Sequence, residues 1–173
     1  MKNDLTKLGE DVVSLDETDR HILILLQDDC KLPLTEIGEA VGMSAPSVLE
    51  RVRKLEQNGV IKGYHALLDA RRVGLDLWAF VGVTINFPKS IEGFKREVVA
   101  LPEVLECHHV TGEHTMLIKI KTKNTASLES LLNRVRSLEG VTATQTMVVL
   151  STLAEHNTLP LESRDKPLAK KRK

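Results

Sequence analysis

The chain has 173 residues, 42% hydrophobic and 28% charged, enough for one ordinary domain or two small ones in a soluble globular protein. Its 24 basic side chains balance 24 acidic ones, so net charge gives no argument for a polyanionic partner. No apolar run approaches the roughly 20 residues that cross a bilayer, which argues against a membrane partner.

The opening MKNDLTKLGEDVV lacks the apolar core of an export signal, and Cys30 and Cys107 fit no metal or disulfide spacing, so a reducing cytoplasm is expected. Charge is unevenly placed. Residues 1–19 carry two lysines against six acidic side chains, and residues 162–173 carry six basic against two acidic. These ends cancel in the sum while their local fields persist over a Debye length of about 8–10 Å. The basic tail reads as a solvated, disordered extension, with a role in holding nucleic acid as the second reading.

The first helix is expected in LDETDRHILILLQDD. Asp16 suits its N-cap, Asp19 its positive end, and Ile22, Leu23, Leu25 and Leu26 its inward stripe. TEIGEAV follows, with Ile37, Ala40 and Val41 on one side, and Gly42 ends it in a left-handed conformation. Cys30 to Pro33 breaks the helical pattern between the first two helices. Met43 plugs the corner and Ser44 caps a third helix, whose first turn tolerates Pro46 because its N–H would have no acceptor anyway. Val48, Val52 and Leu55 mark that helix's buried side, while Pro46, Ser47, Glu50, Arg53, Lys54 and Gln57 project outward. VIKGYHALLD is read as a short strand, a turn and a strand, placed like a wing.

From Leu77 the period changes to two. Ala79, Val81, Val83 and Ile85 alternate with Trp78, Phe80, Gly82 and Thr84, as in a half-buried strand. SIEGFKREVVAL is helical, with Ile91, Phe94, Val98 and Leu101 inward; VLECHHV is a strand, TGEH a turn and TMLIKIKT a strand. TASLESLLNRVRSLEG is helical, and VTATQTMVVLSTLA is a final, β-branched strand. The order strand, helix, strand, strand, helix, strand is the split βαβ, ferredoxin-like unit. The expected division is an N-terminal extension at 1–14, a winged helix-turn-helix domain at 15–68, a linker at 69–76, an α+β domain at 77–160 and the basic tail at 161–173.

A helix, a tight glycine corner and a second helix make a helix-turn-helix, or a plain αα-hairpin with no partner. The preceding helix, the wing and the mixed outward face favour double-stranded DNA. The major groove, about 12 Å wide, admits one helix. Ser44, Ala45, Pro46 and Ser47 are short enough to let backbone approach base edges, and the free N–H groups there favour a phosphate. Glu50 can accept from a cytosine amino group and Arg53 can bond guanine bidentately. Lys54, Arg51 and Lys62 suit phosphates; for Arg51 an internal ion pair is an equal alternative, and for Lys62 a solvated turn.

These residues resemble the leucine-responsive/AsnC (feast-famine) transcription regulators. LDETDRHILILLQDD with TEIGEAVGMSAPSVLERVRKLEQNGVIKGYHALLDARRVG looks like the DNA-binding half of that family. ECHHVTGEHTMLIKI and GVTATQTMVVL look like its regulatory half, the RAM domain. The resemblance runs from about Leu15 to Pro160 and rests on the combined order of motifs. It implies a homodimer assembling into tetramers or octamers, and a small effector, usually an amino acid, bound between dimers. By position, Thr111, Gly112 and Glu113 would form the loop side of that site, with Thr144 and Thr146 as hydroxyl donors opposite. Thr115 and Met116 stand where family members often have an aspartate followed by an aromatic, so Thr115 supplies no charge for an ammonium group.

Cys107, His108, His109 and His114 invite a metal or nucleophile reading. Strand alternation separates His108 from Cys107 and His109, however, and no CxxC, HExxH, phosphate loop or nucleophile elbow accompanies them. No metal, cofactor or enzymatic activity is expected. The leading reading is a DNA-binding transcription regulator responding to a small metabolite. The rival is a metabolite-binding or scaffolding oligomer whose helix-turn-helix is not used on DNA.

Overall fold

The structure, a computed structural model, describes residues 12–86 and 88–161. The expected extension up to residue 11 and the basic tail from 162 onward lie outside the described residues. Two compact units divide the chain, Met1–Ala66 with His156–Lys173 and Leu67–Glu155.

In the first unit, α1 (Glu17–Asp28), α2 (Leu34–Val41) and α3 (Ala45–Gln57) enclose one core. Asp16 caps α1 by accepting from the Asp19 N–H at 2.7 Å, and the Asp19 carboxylate reciprocates to the Asp16 N–H. α2 starts at Pro33 with no side-chain cap and ends at Gly42, whose φ of 68° only glycine adopts without strain. Its Gly38 makes the corner tight: a Cβ there would sit 2.5 Å from the Met43 carbonyl oxygen. Ile22, Ile37 and Val48 are fully buried, with Val52 and Leu55 beside them. Each such side chain contributes about 1.5–3 kcal/mol by leaving water, and together they fix which side of α3 faces out.

No wing is present among the described residues. After Gly59, the Val60 and Ile61 N–H groups both donate to the Leu55 carbonyl, and residues 62–69 form no ladder. The β-branched pair that suggested a strand instead packs against the helical core.

The second unit holds β1 (Leu77–Ile85), α4 (Pro88–Val99), β2 (Val104–His109), β3 (Met116–Thr122), α5 (Thr125–Arg136) and β4 (Val141–Val148). The strands form one antiparallel sheet in the order β2-β3-β1-β4. The expected alternation holds in β1: Ala79, Val81, Val83 and Ile85 meet Phe94 and Val98 of α4 and Leu131 and Val135 of α5 in the core. β4 is shorter than the sequence suggests. It stops at Val148, after which only the Val149 N–H, donating to the Trp78 carbonyl, continues toward β1.

The unit boundary falls between Ala66 and Leu67, ahead of the linker expected at 69–76. Residues 156–160, expected in the sheet domain, and Leu161, expected in the tail, join the helical unit. The Leu159 N–H donates to Gln27 Oε1 at 2.6 Å, the Gln27 amide donates back to the Leu159 carbonyl at 3.3 Å, and Leu161 packs on the helical core.

Candidate functional site

The tip of α3 is built by local capping. Ser44 Oγ accepts from the Ser47 N–H at 3.4 Å and shares a 2.8 Å hydrogen bond with Ser47 Oγ, and Pro46 sits in the first turn. Ser44 and Pro46 are exposed, with Ala45 and Ser47 half-buried behind them. Glu50, Arg53 and Lys54 stand exposed along the outward face, and Lys62 is exposed just beyond the helix. Among the described residues no side-chain hydrogen bond or ion pair engages these four, so they are available to a ligand. The burial of Val48, Val52 and Leu55 directly behind them makes that face rigid.

Arg51 is placed differently. Its Nη1 lies 2.6 Å from Asp16 Oδ2 and 2.8 Å from Asp19 Oδ1, and its side chain is 31% exposed. The internal pair, one of the two alternatives open from sequence, is the one formed. The Arg51 hydrogen bond, reinforced by the Asp19 N–H, holds the Asp16 carboxyl below its usual range. The two carboxylates in turn raise Arg51. This cation braces the helices.

In the sheet unit, Thr111, Gly112 and Glu113 are exposed in the turn between β2 and β3, which closes through the Val110 N–H to the Thr115 carbonyl at 3.1 Å. Thr115 is occupied structurally: its N–H donates to the Val83 carbonyl and its Oγ1 accepts from the Ile85 N–H at 3.1 Å. Thr144 pairs in register with Val83 and Thr146 with Val81, which sets their side chains on one face of β4, roughly 7 Å apart. Thr144 Oγ1 accepts from Arg136 Nε at 2.9 Å, whereas the buried Thr146 Oγ1 has no partner among the described residues. Thr115 and the β4 threonines flank β1 from opposite sides, about 10 Å apart at two strand spacings, and do not close a pocket within one chain.

Sequence reasoning passed over one feature beside them. The His114 ring lies directly on Gly82, in space a Cβ would fill, and its Nε2 meets Gln145 Oε1 at 2.7 Å. Gln145 faces Gly82 in the β1–β4 register, and the buried Nδ1 of His114 has no partner among the described residues. The readable signal was the glycine: inside a strand it marks close approach by something else.

Cys107 is half-buried against the core, which raises its thiol pKa, and His108 contacts Glu106 instead. No group of three His, Cys, Asp or Glu side chains among the described residues could hold a metal. A shallow groove along α5, lined by Glu129, Asn133 and Arg134 among others, contains none of the residues expected to meet an effector.

Known proteins share this arrangement. A family model described as the AsnC-type helix-turn-helix domain matches residues 15–56, and one described as the Lrp/AsnC ligand binding domain matches residues 78–159. The HTH-type transcriptional regulator FL11 of Pyrococcus horikoshii is 38% identical over 87% of this chain and 99% of its own length. The leucine-responsive regulatory protein of Escherichia coli K12 is 37% identical over 87% of this chain and 93% of its own. Among solved structures, a Neisseria meningitidis transcriptional regulator in complex with L-Met superposes with a TM-score of 0.81 at 34% identity, covering 85% of this chain and 97% of that one. Escherichia coli AsnC superposes at 0.80 with 25% identity, covering 86% and 100%.

Proposed function

The chain belongs to the Lrp/AsnC family of transcription regulators, and on that premise we propose how its own residues carry the regulation. The family is one of DNA-binding regulators, not enzymes, and this chain is a regulator of that type. α3 enters the major groove, with Ser44, Ala45, Pro46 and Ser47 at its leading tip. Glu50 and Arg53 reach base edges, accepting from cytosine and bonding guanine. Lys54 and Lys62 hold phosphates, which set orientation without reading sequence. Arg51 acts through the brace to Asp16 and Asp19. The carrying observation is the exposed, unengaged face of Glu50, Arg53 and Lys54, backed by the buried Val48, Val52 and Leu55.

The protein acts as a cytoplasmic homodimer that assembles into tetramers or octamers. Two copies of α3 then lie about 34–36 Å apart on a roughly palindromic operator. Met147 and Val148, about half exposed on β4, supply apolar surface for that assembly. A small effector, an amino acid as in the L-Met-bound relative, binds between dimers at Thr111, Gly112 and Glu113 and at the hydroxyls of Thr144 and Thr146. The unpartnered Thr146 hydroxyl supports that reading. With Thr115 occupied by Ile85, Glu113 is the acid left for the ammonium group. Binding shifts the assembly only by the effector's affinity difference between oligomers.

The test is duplex binding as a function of salt, with protection mapping of the bound site. Binding through several phosphates must weaken steeply as salt rises. Absence of association at low salt would favour the scaffolding alternative. A thermal-shift screen of the standard amino acids tests the effector, which should stabilise by about 2.7 kcal/mol at 100 times its dissociation constant.

A further inference from the structure

The turn that carries Thr111, Gly112 and Glu113 has little to hold it from within. Among the described residues neither Thr111 nor Glu113 makes a side-chain hydrogen bond. The position of the turn is therefore set by its footing on β1. One foot is Thr115, whose N–H donates to the Val83 carbonyl and whose Oγ1 accepts from the Ile85 N–H. The other foot is His114.

Val81 and Val83 of β1 point into the core with α4 and α5, so Gly82 between them belongs to the other face of the sheet. On that face Leu117, Gly82 and Gln145 stand in one row, paired across β3, β1 and β4. The glycine leaves a notch in the middle of the row. The His114 ring fills it, reaching over β1 until its Nε2 meets Gln145 Oε1 at 2.7 Å. A carbonyl oxygen accepts, so Nε2–H donates, and the bare Nδ1 is left buried with no partner among the described residues. A buried acceptor left unanswered costs stability, a cost that an apolar side chain filling the notch would avoid. What the bridge joins accounts for it. His114 directly follows Glu113, and Gln145 lies between Thr144 and Thr146. Side chains alternate along a strand, so the Gln145 amide and the two threonine hydroxyls leave opposite faces of one short stretch of backbone. β4 is an edge strand, laddered on β1 alone, with a register shift at Thr84 and Ile85. The bridge restrains that edge from the face opposite the threonines.

We propose that His114 is a positioning residue for effector binding: seated on Gly82 and bonded to Gln145, it fixes the Thr111–Glu113 turn relative to the Thr144 and Thr146 hydroxyls. The inference rests on the effector site proposed above. His114 touches no effector atom. It acts by holding two groups of contacts, carried by different strands, at one spacing. With the bridge formed, a ligand meets a turn that is already in place. Without it, binding must first order the turn, and affinity falls.

The experiment compares the full-length chain with Gln145→Leu, which keeps the bulk and loses the acceptor, and with Gln145→Glu, which keeps an acceptor oxygen. Gln145 is exposed, so both variants should fold as the parent does. Each is sized by sedimentation and titrated calorimetrically with L-methionine, the ligand of the Neisseria meningitidis relative. Amide hydrogen exchange across residues 107–117 is followed without ligand. In Gln145→Leu the Val110 and Thr115 amides should exchange about threefold to tenfold faster, and L-methionine should bind more weakly by a similar factor, the range one hydrogen bond supports. Gln145→Glu should match the parent in both. Equal exchange and affinity in all three chains would overturn the proposal, as would a loss that Gln145→Glu shares with Gln145→Leu. Weaker binding with unchanged exchange would overturn it too, making Gln145 a direct ligand contact. So would faster exchange with unchanged affinity, or a smaller assembly in Gln145→Leu, which would make Gln145 an assembly residue. If the parent does not bind L-methionine, the amino-acid reading of the site fails, and exchange alone decides the bridge. Faster exchange in Gln145→Leu, restored in Gln145→Glu, then supports its hold on the turn, and equal exchange overturns it.

Discussion

Arg51 Nη1 meets Asp16 Oδ2 at 2.6 Å across a sequence separation of 35 residues, tying α3 to the residue that caps α1. The same nitrogen also bonds Asp19, the other member of the capping box. One guanidinium therefore locks the start of the first helix to the middle of the third. Replacing it with methionine should lower thermal stability by about 0.5–1.5 kcal/mol, the range for partly exposed pairs plus some lost packing. Discrimination between operator and mutated operator should stay unchanged. A change in discrimination would place Arg51 on the bases.

The same pair sets an acid limit. Asp16 titrates below its ordinary value of 3.8 in the folded chain, so its stabilisation is full above about pH 4 and is lost as pH falls through the lower folded value. Asp16→Asn keeps an equally good cap but removes the charge. Urea melts of parent and variant should therefore differ at pH 7, and the difference should shrink as pH falls below the ordinary value of 3.8.

Arg53 should behave in the opposite way to Arg51. Arg53→Ala is expected to cost about 1–3 kcal/mol on the operator and much less on an operator whose contacted guanine is changed. Equal losses on both duplexes would assign it to a phosphate. Stability should hardly move, since the side chain is exposed.

Gly38→Ala tests the corner. The new methyl would press on a backbone atom, the Met43 carbonyl oxygen, which cannot swing aside as a side chain can. A loss of about 1–3 kcal/mol in chemical unfolding is expected, with weakened DNA binding because α3 is set by that corner.

In the sheet unit, Gly82→Ala should expel the His114 ring and break its bond to Gln145. His114→Ala removes the obstruction, so the double variant should cost clearly less than the two single losses added together. Additive losses would mean that the ring and the glycine act independently.

Much of this was readable residue by residue. The α1 capping box, the Gly42 stop, the Val48–Val52–Leu55 stripe and the alternation of β1 are local patterns with a fixed period, and the structure reproduces them. The failures share a cause, which is that a strand needs a neighbour. VIKGYHALLD has strand-forming residues but no ladder among the described residues, and β4 ends at Val148 although its β-branched run continues. Nor could periodicity choose between a phosphate and Asp16 for Arg51, or see His114 settle on Gly82, because each depends on tertiary placement. The clasp between Gln27 and Leu159 spans 132 residues and left no trace in local pattern.

That clasp has a consequence for synthesis. The three helices leave the ribosome early, but the piece that latches them is translated only after the whole sheet unit. Until then Leu161 is missing from their core, a deficit of about 1–2 kcal/mol for a half-buried leucine. The helical unit is in effect interrupted by its neighbour, and a fragment of residues 1–66 should melt earlier than the same helices within the full chain.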